Sequence, residues 1–102
     1  MPVTKVVRYR TNPQDAAENV RLIREVFAEL TAEQPGGLRY ASFQLDDAVS
    51  FVHVAVLDDG DHNPLQDSAA FARFQSGIKD RCADGPVASD VTVIGSYPGR
   101  PV

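Results

Sequence analysis

The sequence predicts an α+β domain with the element order β-α-β-β-α-β, the split βαβ or ferredoxin-like arrangement. Three observations predict it. Segments 3–10, 38–45, 50–57 and 89–97 are rich in β-branched and aromatic residues and read as strands. Segments 15–33 and 68–82 carry apolar residues at helical spacing. Clusters of Gly, Pro and Asp separate these segments. At 102 residues the chain reads as one domain, 1–102, with a single small core.

The elements are justified in order. "VTKVVRYR" at 3–10 reads as a strand, and "TNPQD" follows as a turn in which Pro13 holds Asn12 out of the α region. In the first helix Ala16, Val20, Ile23, Phe27 and Leu30 share a face, with Glu18, Arg21, Arg24, Glu25 and Glu29 mainly away from it. "PGG" at 35–37 ends this helix, with Gly36 and Gly37 free to take positive φ. "LRYASFQL" and "SFVHVAVL" flank the turn residues "DDAV" and read as a β-hairpin. "DDGDHNP" is a polar loop. Ser68 is a good N-cap for a second helix that places Phe71, Phe74, Ile78 and Cys82 on one face. "ADGP" at 83–86 breaks that helix, "SDVTVIGSY" at 89–97 is the last strand, and the two prolines of "PGRPV" end the pairing. The strands at 3–10 and 50–57 are expected at the centre of a four-stranded antiparallel sheet with both helices on one face.

Both faces of that sheet are apolar enough to need cover. In 50–57, Val52, Val54 and Val56 oppose Phe51, His53, Ala55 and Leu57. The purer set, Val52, Val54 and Val56 with Ala41, Phe43 and Leu45, is assigned to the helices. Tyr40, Ser42, Gln44, Phe51, His53 and Ala55 are then assigned to the other face, with Ser42 opposite His53 and His53 pointing away from the helices. A second copy of the chain is the expected cover for that face, as a homodimer packed sheet to sheet.

Composition excludes several classes of function. The formal net charge is −4 and no basic block stands out, which argues against nucleic acid or an anionic membrane as partner. No apolar run reaches the ~18 residues of a membrane span. The start of the chain lacks the features of a signal peptide, and a soluble, cytoplasmic protein is expected. Cys82 is the one cysteine, so an intramolecular disulfide and a cysteine zinc site are both excluded, and a reducing compartment fits.

Two histidines are candidates for chemistry. His53 lies inside an apolar strand and could act as general base or hydrogen-bond partner for a phenol; the plainer alternative is a buried His satisfied by Tyr or Ser on a neighbouring strand. His62 shares the loop "DDGDHN" with Asp58, Asp59 and Asp61, whose spacing matches no metal motif and reads as a solvated acidic turn. Tyr9, Tyr40 and Tyr97 lie in expected strands where a hydroxyl could line a pocket or stay near water. Cys82 reads as a packing residue at the end of the second helix.

The element order, the helix "DAAENVRLIREVFAEL", the hairpin "LRYASFQLDDAVSFVHVAV" and the phrase "NPL…AFARFQSGI" followed by "VIGSY" resemble the antibiotic biosynthesis monooxygenase group of the dimeric α+β barrel superfamily. The resemblance spans about residues 3–97. It implies a homodimer, and oxidation of phenolic or quinol-type polyketides by molecular oxygen without metal or flavin. The quinone-forming relatives use Asn, Trp, Tyr and Arg in the pocket. This chain has no Trp, and its first strand has no Asn. Haem-degrading relatives use an Asn, a Trp and a His, two of which are unmatched. His53, the tyrosines and Arg8 or Arg10 remain. The resemblance therefore points to cofactor-independent oxidation of a small aromatic ligand, with His53 catalytic and Tyr9, Tyr40, Ser42 and Phe51 binding. The alternative is a non-catalytic ligand-binding or dimerisation protein on the same fold.

Overall fold

In the computed structural model, which describes residues 2–99, four strands form one antiparallel sheet: β1 (Val3–Thr11), β2 (Leu38–Gln44), β3 (Ser50–Leu57) and β4 (Cys82–Val91), in the order β2-β3-β1-β4. Strands β1 and β3 hold the centre, as expected, and helices α1 (Ala16–Glu33), α2 (Ala69–Ser76) and the short α3 (Ile78–Arg81) cover one face. Among the described residues no helix is long and apolar enough to cross a membrane.

Local chemistry sets the boundaries. The helix α1 ends where Gln34 turns left-handed at φ 49°, one residue before Pro35, and Gly37 follows at φ 82°. The hairpin turn is held by the Asp47 carboxylate, which accepts from the backbone N–H of Val49 at 3.0 Å and of Ser50 at 2.8 Å. Ser68 caps α2 by accepting from the Phe71 N–H at 3.0 Å, and its hydroxyl donates to Glu29, tying α2 to α1.

Three expectations need correction. The first concerns the sheet faces. Ser42 does pair with His53 across the hairpin. But the layer beneath the helices is Tyr9, Phe51, His53, Ala55 and Leu57, all buried. Val52 and Val54 lie on the open face, with Phe43 at 48% and Val87 at 50% exposure. Aromatic rings bury more area than valines, so the aromatic layer gains more from cover. Its polar atoms escape the usual penalty because they bond to one another.

The second correction concerns the last strand. The second helical segment breaks at Gly77, and Cys82 opens β4 opposite Thr11 instead of closing a helix. The "ADGP" run pairs with β1 rather than breaking the chain. Its register shifts between Arg8 and Thr11, so a bulge takes up Gly85 and Pro86 opposite Tyr9. An edge strand tolerates that proline because its outer N–H positions need no partner. Beyond Val91 the β1 ladder is nearly exhausted, and 92–97 runs unpaired, with Ile94 fully exposed and Tyr97 96% exposed. The expected unpaired tail falls partly on 100–102, outside the described residues.

The third correction concerns α1. Its buried stripe is Ala16, Asn19, Leu22 and Val26, with Val20, Ile23 and Leu30 packed beside it. A polar residue thus sits in the middle of the core-facing stripe.

Phe51 is among the most buried side chains, and its ring stacks on Tyr9 with centroids 5.5 Å apart. Phe51→Ala should cost about 3–5 kcal/mol in chemical denaturation. A loss below ~1 kcal/mol would instead put Phe51 on the open face.

Candidate active site

One hydrogen-bonded string runs from α3 through α1 to strands β1, β3 and β2. The Arg81 Nε donates to Asn19 Oδ1 at 3.1 Å, which fixes the Asn19 amide with its Nδ2 toward the sheet. That Nδ2 donates to the Tyr9 hydroxyl at 2.8 Å. The Tyr9 hydroxyl lies 2.7 Å from His53 Nε2. On the other side of the ring, His53 Nδ1 lies 2.6 Å from Ser42 Oγ and 3.0 Å from the Tyr40 hydroxyl.

Each member is placed by its element. Tyr9 and His53 come from adjacent central strands, with Val7 paired to His53 and Tyr9 to Phe51. Period-two alternation turns both toward the helices. Ser42 is the direct cross-strand neighbour of His53, and Tyr40 lies two residues along β2 on the same side. Asn19 is 0% exposed, one turn into α1. Arg81 also donates through Nη2 to the Phe74 carbonyl at 2.6 Å, and its guanidinium lies 5.3 Å from the Phe74 ring centroid.

Donor counting gives the proton positions. Asn19 Nδ2 can only donate, so His53 Nε2 is the one recorded partner able to accept the Tyr9 O–H. The ring hydrogen then resides on Nδ1, facing Ser42 and Tyr40. Among the described residues no buried side-chain polar atom lacks a partner.

The electrostatics favour neutral groups. Burial pushes the His53 imidazole down to about 4. It pushes the Tyr40 phenol up to about 12. Burial also raises Tyr9 well above the ordinary phenol range, against the lowering effect of the Asn19 hydrogen bond.

A cavity of about 370 Å³ opens between this layer and α2. Tyr9, Tyr40 and His53 line it from the sheet, Phe71 and Phe74 from α2, and Pro86 from the β4 bulge. This volume is at the small end of ligand pockets. A second cavity of about 320 Å³ lies between α1 and β2, lined by Val20, Ile23 and Phe27 with Ser42 and Phe51.

The structure therefore brings together four of the five expected site residues, Tyr9, Tyr40, Ser42 and His53. Phe51 supports Tyr9 from the second cavity rather than facing the first. Arg8 and Arg10 alternate to the open face, where Arg10 pairs with Asp84 at 2.7 Å, and Tyr97 is exposed and does not line the cavity. Asp58, Asp59, Asp61 and their loop are exposed, and no metal-ligating cluster occurs among the described residues. Asn19 and Arg81 are the members that sequence reasoning missed. An Asn amid the apolar positions of α1 was the available signal for the first. Arg81 carried none, because it looked like the polar end of a longer helix.

No family model matches this chain, and no curated protein matches it. Solved structures do. A protein from Nitrosomonas europaea, provisionally described as an antibiotic biosynthesis monooxygenase, superposes with a TM-score of 0.75 at 15% identity, covering 97% of this chain and 94% of that one. A variant of SnoaB, a cofactor-independent oxygenase from Streptomyces nogalater, superposes with a TM-score of 0.68 at 22% identity, covering 95% and 97%. A protein from Pseudomonas aeruginosa does so with a TM-score of 0.74 at 21% identity, covering 92% and 95%. The chain has the ferredoxin-like α+β fold of the antibiotic biosynthesis monooxygenase proteins.

The His53 environment has a consequence for stability. The folded imidazole holds its proton less tightly than the unfolded one, at about 4 against 6.5. Between those values the unfolded chain binds the proton and the native chain does not, so stability is full above pH 6.5 and falls toward pH 4. Urea denaturation should show wild type losing about 3 kcal/mol more than His53→Gln across that window. Parallel pH profiles for the two proteins would refute the assignment.

Proposed function

We propose that this chain is a cofactor-independent oxygenase acting on a small phenolic or polyketide-type aromatic bound in the cavity beneath α2. The observation that carries the proposal is that His53, with both ring nitrogens hydrogen-bonded, lines that cavity beside the hydroxyls of Tyr9 and Tyr40. The fold it shares with named monooxygenases supports the same reading.

The chemistry asked of the protein is modest. A phenol or hydroquinone becomes an electron donor to oxygen once its O–H proton moves away. The Tyr9 oxygen has a lone pair for a substrate hydroxyl, since Asn19 occupies only one. As the substrate proton moves to Tyr9, the Tyr9 proton moves to His53 Nε2, so Tyr9 stays neutral and the positive charge forms on His53 as the negative charge forms on the substrate. This matters because the low basicity of His53 makes it a poor base when acting singly. The aromatic walls of Phe71, Phe74 and Tyr9 favour a flat substrate and exclude bulk water. With a phenol, oxygen bonds to a ring carbon, that carbon loses its hydrogen as a proton and the O–O bond breaks, giving a quinone and water. A hydroquinone passes two electrons and two protons to oxygen, giving a quinone and hydrogen peroxide.

We also infer that a second copy of the chain covers the open sheet face. Phe43, Leu45, Val87 and Val91 are all more than a third exposed there, in a patch that would otherwise face water.

Oxygen uptake by purified protein with a panel of hydroquinones and naphthols, metal and flavin removed, tests the activity. Tyr9→Phe and His53→Ala should each lower kcat/KM by about 10²-fold or more. Full activity in both variants contradicts the proposed site. Naphthol binding without oxygen uptake would make the chain a ligand-binding protein instead. Sedimentation at micromolar concentration should show a dimer that Val87→Asp dissociates; a stable wild-type monomer contradicts the inferred interface.

A further inference from the structure

His53 separates two cavities, and its two nitrogens face different neighbours. Nε2 meets the Tyr9 hydroxyl, which lines the cavity beneath α2. Nδ1 meets Ser42 Oγ at 2.6 Å, and Ser42 lines the cavity between α1 and β2. Tyr9 and His53 do not line that second cavity. A neutral imidazole bonded at both nitrogens can accept a proton on one and release a proton from the other. The second cavity, at about 320 Å³, has room for several waters, and Arg24 and Gln44 at its rim offer them polar partners.

We propose that Ser42 is the proton port of the site, connecting His53 to solvent in the cavity between α1 and β2 while the substrate occupies the cavity beneath α2. The proposal rests on the oxygenase reading only for the origin of the proton. Four bonds change in sequence. The substrate O–H breaks as a hydrogen joins the Tyr9 oxygen. The former Tyr9 hydrogen joins Nε2. The Nδ1 hydrogen moves to Ser42 Oγ, and the former Ser42 hydrogen passes to water. Only protons move; the substrate electrons go to oxygen. Run backward, the same path returns the proton that reduced oxygen needs to leave as water, and it restores the Nδ1–H form of the ring. Ser42 is a positioning residue in this scheme, because it touches His53 and not the substrate.

The rival exit is the Tyr40 hydroxyl, 3.0 Å from the same Nδ1 and lining the substrate cavity. The two are separable by the exchange rate of the His53 ring proton with water, read by nitrogen-15 NMR at fixed pH. Turnover is not needed for this measurement. Ser42→Val should slow exchange about 10-fold or more, because Tyr40 still satisfies the ring but the port is closed. Ser42→Thr, of the same shape with the hydroxyl kept, should exchange as wild type, and so should Tyr40→Phe. If Ser42→Val does not fold, Ser42→Ala takes its place. Slowing in Tyr40→Phe with unchanged exchange in Ser42→Val overturns the proposal, and so does unchanged exchange in both. A protein that exchanges as proposed but consumes no oxygen would refute the oxygenase reading and leave the port standing.

Discussion

The hydrogen bond from Asn19 to the Tyr9 hydroxyl is the contact on which the rest of the site depends. Because Asn19 presents an N–H there, His53 Nε2 is the acceptor left for the Tyr9 O–H; an Asn19 amide turned the other way would take that hydrogen and let Tyr9 accept from His53. With the N–H in place, the direction of every later bond follows: Tyr9 donates, His53 accepts at Nε2, and Nδ1 donates toward Ser42 and Tyr40. Arg81 stands behind this contact. Its Nε leaves the Asn19 amide one orientation. Among the described residues no carboxylate pairs with Arg81, and its guanidinium is held by a carbonyl and a ring face instead. A buried guanidinium without a counter-ion is costly, and it survives because its delocalised charge and planar fork suit these neutral partners.

The same string also explains how the sheet chooses its faces. Buried alone, Tyr9, His53, Ser42 and Asn19 would each forfeit water at a cost of about 1–3 kcal/mol. Bonded in one network they forfeit little, and the large rings around them gain the cover of α1 and α2. Valine has no such opportunity and loses less by staying on the open side. The burial of polar side chains is here a result of their adjacency across strands, not an exception to it.

That adjacency marks the boundary of what could be read from the chain. The element order, the central pair of strands and the Ser42–His53 register were all legible, because turn residues and period-two alternation specify them locally. The choice of face was not, because both faces of β3 are apolar and the deciding energy lies in contacts between β1, β2, β3 and α1. The last strand misled for a different reason. "VTVIGSY" has the composition of a strand, but the ladder it would need on β1 ends near Val3, while the less promising "CADGPVASDV" has a partner along its length. Strand propensity describes a surface that fits a sheet, and pairing requires a neighbour. Within the site, Tyr9, Tyr40, Ser42 and His53 were legible as strand residues on one hairpin and its neighbour. Arg81 was not, since its role depends on where Gly77 breaks the helix.

The central claim is that His53 is a neutral imidazole carrying its hydrogen on Nδ1, held that way by Asn19 through Tyr9. Nitrogen-15 chemical shifts of the His53 ring measure this directly, recorded from pH 7.5 down to pH 5. The account predicts a protonated Nδ1, an acceptor-type Nε2, and no titration across that range, with the tautomer becoming mixed in Asn19→Ala. A ring protonated at Nε2, or one that gains its second proton near pH 6.5, would contradict it.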